Sequence, residues 1–171
     1  MPNEVRLAFL GCGAISQFHL LGIREGGPRI RVTAAIDIDA ERADAVAAET
    51  GARAFTSFDE ALAWGGFHAV DLMLPHDLHE RFAIQTLESG HHLLLEKPMA
   101  PNLAACERIL EAARKSGQVF MVAENAQYWP EVLQVKELLD AGAIGEPVTV
   151  RGNFFVPPLA NYYGGERAWR L

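Results

Sequence analysis

The stretch VRLAFLGCGAIS, Val5 to Ser16, carries the reading of the fold. Its first half is apolar at consecutive positions, as in a strand covered on both faces. Glycine then returns at Gly11 and Gly13, and a helical stretch follows from about Ala14 to Glu25. The same order recurs. IRVTAAID (30–37) is apolar and β-branched and ends in an acid, and the alanine-rich segment from Ala40 to Thr50 is helical, stopped by Gly51. Ser57-x-x-Glu60 is a capping box. HAVDLML (68–74) is a strand closed by Pro75, and Asp77-x-x-Glu80 has the spacing of a second cap, with Gly90 at the far end of its helix. HHLLLE (91–96) and QVFMVAE (118–124) are two more strands. They flank a helix whose apolar face is Cys106, Ile109, Leu110 and Ala113, ended by Gly117. Such strands alternating with helices imply an α/β fold, a Rossmann-type doubly wound parallel sheet.

The rhythm changes near residue 125. Pro130 can open a helix carrying Val132, Val135, Leu138 and Leu139, with Gly142 as its stop. In VTVRGNFFV the residues Val148, Val150, Gly152, Phe154 and Val156 share one face, the pattern of a strand buried on one side only. The expected organisation is a dinucleotide-binding domain over 1–125 and the incomplete beginning of an α+β substrate and oligomerisation domain over 126–171.

Composition narrows the function classes. Half of the 171 residues are hydrophobic, 22% are charged and the net charge is -7. That balance argues against nucleic acid or an anionic membrane as partner. The apolar runs are strand-sized, and MPNEVRLAFLG lacks the basic start of a signal peptide, so a cytoplasmic protein is expected. Cys12 and Cys106 have no zinc or disulfide spacing.

Gly11, Gly13, Ala14 and Ile15 lie where a dinucleotide pyrophosphate meets a helix N-terminus, with Ser16 at the position of the usual third glycine. Many strand-to-helix turns contain glycines, so the loop alone is weak evidence. Asp37 ends the second strand, near the spacing of about 20 residues at which an acid binds the adenosine ribose hydroxyls. A carboxylate there repels a 2′-phosphate, which favours NAD over NADP; Arg42 is the possible phosphate partner. Methyltransferases share this loop and acid, and the separating residues come later. In LLLEKPMA (93–100), Glu96 and Lys97 point to opposite faces at a strand end, and Pro98 holds Lys97 extended. A lysine so placed aims into the ligand crevice, where it can give or take a proton. The bland alternative is an exposed lysine before a helix-starting proline.

GCGAIS, Asp37, LPHDLH (74–79) and LLLEKPMA occur in the order and spacing of the Gfo/Idh/MocA family, glucose–fructose oxidoreductase-like and inositol dehydrogenase-like NAD(P)-dependent enzymes, which this chain resembles along its length. The resemblance implies hydride transfer between nicotinamide C4 and an alcohol carbon of a sugar or cyclitol. It makes Lys97 the catalytic lysine at the reacting oxygen and Glu96 the acid near the nicotinamide ribose. Leu74, Pro75, His76, His79, Lys97 itself and Asn125 join the cofactor-binding set, and the Lys97–Pro98 bond is often cis in the family. Three positions depart from the pattern: Leu74 replaces a Thr or Ser, His76 an Asn, and Gln127 an Arg. The family's catalytic Asp and His belong to a segment beyond Leu171, and family members run to about twice this length.

Two functional readings follow. One is an NAD-dependent oxidoreductase acting on a polyol or sugar, represented mainly by its cofactor domain and expected to form homo-oligomers. The other is a non-catalytic NAD-binding module lacking half of the active site. His76 and His79 could share a helix face as metal ligands, but no carboxylate or thiolate completes a set, so no metal is expected. No GxSxG element supports a hydrolase.

Overall fold

The computed structural model describes residues 4–153. The chain divides into two compact units, one running to Glu124 and one beginning at Asn125.

The first unit is built from β1 (Val5–Leu10), α1 (Ala14–Glu25), β2 (Ile30–Ile36), α2 (Ala40–Thr50), β3 (Arg53–Phe55), α3 (Phe58–Trp64), β4 (Ala69–Leu72), α4 (His79–Glu88), β5 (His92–Leu95), α5 (Leu103–Ser116) and β6 (Phe120–Val122). The six strands form one sheet in the order β3-β2-β1-β4-β5-β6, and every pairing is parallel. The order reverses between β1 and β4, which makes the crevice at their carboxyl ends the topological switch point.

Alternation of side chains divides the core into two layers. Ala8, Leu10, Val70, Leu72, Leu93 and Leu95 face one side, where they pack with Phe58, Ala83, Leu87 and Ile109 of α3, α4 and α5. Leu7, Phe9, Val32, Ala35 and Met73 face the other, against Leu20 of α1 and Val46 of α2. A strand with both faces buried has no room for polar alternation, which is why these segments are continuously apolar.

Helix starts follow local chemistry. Asp39, Ser57 and Asn102 cap α2, α3 and α5 by accepting from the amides of Glu41, Glu60 and Ala105. Gly51 and Gly117 end α2 and α5 in the left-handed conformation, with φ of 73° and 66°.

Four details differ from expectation. The three-residue edge strand β3 has too little pattern to be seen in the sequence. Asp77 does not cap α4: residues His76–Leu78 form a 3-10 turn closed by Leu78 N–H donating to the Pro75 carbonyl, and α4 starts at His79 with no side-chain cap. The buried stripe of α5 is Ala105, Ile109 and Ala112, and Leu110 is 38% exposed. In the second unit, α6 (Pro130–Asp140) opens at the expected proline. Val148 and Val150, expected on a half-buried strand, are in no strand and are 94% and 86% exposed. The rest of that stretch, from 154 on, lies outside the described residues.

The phase of α5 gives a direct stability test. Ile109→Ala should cost about 2–5 kcal/mol, as buried truncations do. Leu110→Ala should cost about 1 kcal/mol or less, because its side chain is only partly removed from water. Urea unfolding of the two variants checks the assignment, and equal losses would contradict it.

Candidate functional site

The loops after β1, β2, β4 and β5 meet at the carboxyl edge of the sheet. Gly11 begins the first of them with φ of 101°, a region that side chains rarely adopt. A Cβ at Gly11 would stand 2.5 Å from the Met73 carbonyl oxygen, so the loop passes directly against the end of β4. Its amide donates to the Ile36 carbonyl at 2.8 Å, tying it to β2 on the other side.

Gly13 is the N-cap of α1, with extended φ and ψ and no side-chain cap bond. Nothing lies within 4 Å of a Cβ built there. The start of α1 therefore offers amide donors, carries no acid in its first turn, and faces open space. Ser16, wholly buried, accepts the role of a small residue under the helix, its hydroxyl donating to the Gly13 carbonyl at 2.7 Å.

Asp37 lies immediately after β2 and is half-buried. Its Oδ2 accepts the Cys12 amide at 2.8 Å and its Oδ1 accepts the Asp39 amide at 3.0 Å. Each oxygen keeps a second acceptor site, so the carboxylate can brace the glycine loop and still take a hydroxyl. Arg42 is paired with Asp39 at 3.2 Å in an exposed i,i+3 contact. Burial, then the charge of Asp37, pushes the Cys12 thiol up to about 12, against the opposing Ile36 carbonyl contact. Cys12 is thus a protonated packing residue under the loop.

His79, expected among the cofactor contacts, opens α4. Its side chain is buried, and its two ring nitrogens lie 2.9 Å from the Pro98 carbonyl oxygen and 2.8 Å from that of Leu74. The ring clamps the loop after β4 to the loop after β5 and has no nitrogen left for a ligand. Leu74, Pro75 and His76 lie in the clamped loop and are half-buried. Asn125 opens the second unit, in the 3-10 turn Asn125–Tyr128. Among the described residues no group of three or more His, Cys, Asp or Glu side chains could hold a metal ion.

Lys97 is exposed just past β5, and its peptide bond to Pro98 is cis. Its amide donates to Glu96 Oε2 at 3.0 Å. Glu96 in turn belongs to a cluster absent from the sequence reading. His19 of α1 reaches Asp71 Oδ2 of β4 through Nδ1 at 2.7 Å and Glu96 Oε1 through Nε2 at 3.0 Å. Burial alone would lower the His19 pKa, but hydrogen bonds to Asp71 and Glu96, with their charges, outweigh it and bring it up to about 10. Burial pushes the Asp71 carboxyl up against the pull of His19. Burial also works against Glu96 ionising, but the His19 contact and the Lys97 amide and charge hold its carboxyl below the usual value. Two signals in the sequence could have revealed the cluster: an acid in the middle of the apolar strand HAVDLML, and a histidine one turn after the buried Ser16.

Residues 5–124 match the model of the Gfo/Idh/MocA oxidoreductases, described as an oxidoreductase family with an NAD-binding Rossmann fold. The chain belongs to this family. An inositol 2-dehydrogenase of Corynebacterium glutamicum is 30% identical over 165 residues, covering 95% of this chain and 49% of its own. A D-xylose 1-dehydrogenase [NADP(+)] of Haloarcula marismortui is 31% identical, covering 99% of this chain and 48% of its own. The WlbA dehydrogenase of Bordetella pertussis, solved with NADH and UDP-GlcNAcA, superposes with a TM-score of 0.81 at 31% identity over 85% of this chain and 42% of its own. The chain thus spans about half the length of the curated relatives it matches, and the matched part contains the family's dinucleotide-binding sheet. Among the described residues no helix is long and apolar enough to cross a membrane.

The cluster makes stability depend on pH with a definite sign. The folded His19 pKa, about 10, lies above the ordinary 6.5, so its contribution is complete below about pH 6.5 and is lost as pH rises toward 10. Urea unfolding should show wild type losing its advantage over His19→Gln across that window. A constant difference from pH 6 to 10 would contradict a charged His19.

Proposed function

We propose that the first unit binds a dinucleotide cofactor, NAD in preference to NADP, across the carboxyl ends of β1, β2, β4 and β5. The observation that carries the proposal is the open start of α1 at Gly13, an uncapped helix N-terminus next to a loop that only glycine can form at Gly11. The pyrophosphate would accept from the amides of Ala14 and Ile15. Asp37 would accept the ribose hydroxyls on its remaining acceptor sites and repel a 2′-phosphate. Arg42, already facing Asp39, is poorly placed to compensate. Leu74, Pro75 and His76 would line the crevice on the far side of the switch point, and Glu96 would face the nicotinamide ribose.

The reaction that best fits this arrangement is oxidation of a sugar or cyclitol alcohol, or its reversal, in the longer protein the relatives represent. A bound oxidised nicotinamide would accept hydride from the alcohol carbon. Lys97 would contact the reacting oxygen and assist removal of its proton. The residues from Asn125 on would begin the domain that selects the substrate, and that domain would support self-association. The alternative is a cofactor-binding unit without turnover, which shares every feature of the loop.

Titration of this chain with NADH and NADPH, followed by energy transfer from its three tryptophans, tests the proposal. NADH should bind saturably and NADPH much more weakly. Asp37→Ala should weaken NADH binding by roughly tenfold or more, the cost of lost hydrogen bonds to a charged group. Gly13→Val adds a side chain into open space, so it should fold normally and bind no NADH. Full affinity in Gly13→Val would remove the phosphate from this loop. Lys97→Ala should leave NADH binding within a few-fold of wild type.

A further inference from the structure

The cluster His19–Asp71–Glu96 ties Glu96, assigned above to the cofactor site, to a half-buried histidine and a buried carboxylate, and packing alone does not explain it. Side chains sharing this layer of the sheet are apolar: Leu7, Phe9, Val32, Ala35 and Met73. Asp71 interrupts them at the centre of β4, its side chain 2% exposed and its Oδ1 without a hydrogen-bond partner. Burying a carboxylate and an imidazole costs solvation that their mutual attraction seldom exceeds, and an apolar pair of the same volume would serve the core as well. Such a cluster is most useful for what it orients.

We propose that His19 is a positioning residue for the Glu96–Lys97 turn, anchored by Asp71 and holding Glu96 through Nε2. This inference deepens the dinucleotide reading above and rests on it. The geometry forms a single path. Asp71 Oδ2 receives Nδ1 of His19 at 2.7 Å, Nε2 reaches Glu96 Oε1 at 3.0 Å, and Glu96 Oε2 receives the Lys97 amide at 3.0 Å. A doubly protonated ring donates to both carboxylates, whereas a neutral ring leaves one of them facing a lone pair. The groups facing the ring are Asp71 from β4 and Glu96 from the end of β5, with Lys97 next along the chain.

The path also joins three segments that must keep register. His19 lies on α1, the helix whose start would receive the pyrophosphate. Asp71 lies on β4, which leads into the Leu74–His76 loop, and Glu96 follows β5 directly before Lys97. A shift of one segment would pull on the other two through the ring. Both Glu96 oxygens are engaged by this chain, so its carboxylate is oriented before any ligand arrives, and the Lys97 backbone is oriented with it.

The test uses this chain labelled with 15N and 13C. The wild-type His19 ring should show two protonated nitrogens at pH 8, and the Glu96 side-chain carboxyl should titrate below the ordinary range. In His19→Gln the Glu96 titration should return toward its ordinary value and the Lys97 amide resonance should move upfield. NADH affinity should fall roughly tenfold, as expected when a hydrogen bond to a charged group is lost. Asp71→Asn, which keeps the shape of the side chain, should shift the same resonances in the same direction. It carries the measurement if His19→Gln does not fold. The proposal is overturned if folded His19→Gln or Asp71→Asn leaves the Glu96 titration and the Lys97 amide unchanged. It is equally overturned if those signals move while NADH affinity stays at the wild-type value. A wild-type chain that binds no NADH would contradict the dinucleotide reading, and the resonances of Glu96 and Lys97 would still decide whether His19 positions the turn.

Discussion

Everything at the carboxyl edge depends on how closely the loop after β1 passes the end of β4. The Met73 carbonyl stands where a Gly11 side chain would begin, the Gly11 amide is held by Ile36, and the next amide, of Cys12, is held by the Asp37 carboxylate. Met73 donates its own amide to the Leu10 carbonyl at 2.8 Å. The loop is therefore fixed from β2 and β4 together, and its direction decides where α1 begins. That start is left without a side-chain cap, as are those of α4 and α6, while α2, α3 and α5 each have one. Asp37 braces the loop, and in the proposed reading its remaining acceptor sites would take the ribose hydroxyls.

On the other side of the switch point the bracing is done by histidines. His79 links the loops after β4 and β5 through the carbonyls of Leu74 and Pro98, and His19 links β4 to Glu96 from beneath. His79 is wholly buried and His19 half-buried, and in both rings each nitrogen is already engaged by this chain. Lys97 is the exposed member of this neighbourhood, with its backbone held by the Glu96 carboxylate and its neighbour Pro98 held by His79. A flexible side chain on a restrained backbone is the arrangement expected of a group that must meet a substrate and exchange a proton with it.

Much of the fold was legible because its signals are local. Continuous apolar runs identified the strands, glycine and proline marked their ends, and Ser57 and Pro130 opened helices where short-range chemistry says they should. The glycine loop and the Glu96-Lys97-Pro98 turn were legible for the same reason. What escaped depends on neighbours distant in the chain. The phase of α5 is set by α4 and the sheet against which it packs, so Ala105 and Ala112 are buried in place of Cys106 and Leu110. The start of α4 is set by the turn that tucks His79 under two loops, which displaced the expected Asp77 cap. His19 pairs with residues 52 and 77 positions away, so the acid inside HAVDLML hints at a buried partner without saying which residue it is.

The proposed ligand crevice lies over the carboxyl ends of β1, β2, β4 and β5. A concavity of about 560 Å³ at the outer β3 edge, lined by Asp44, Arg53, Phe55 and Trp64 among others, is the competing location on the same unit. Backbone amide spectra of the 15N-labelled chain, recorded while NADH is added, distinguish the two. Binding at the switch point should give saturable shifts concentrated at Gly11 to Ser16, Asp37, Leu74, His76, Glu96 and Lys97. Shifts confined to the β3 edge, or no shifts at millimolar cofactor, would contradict it.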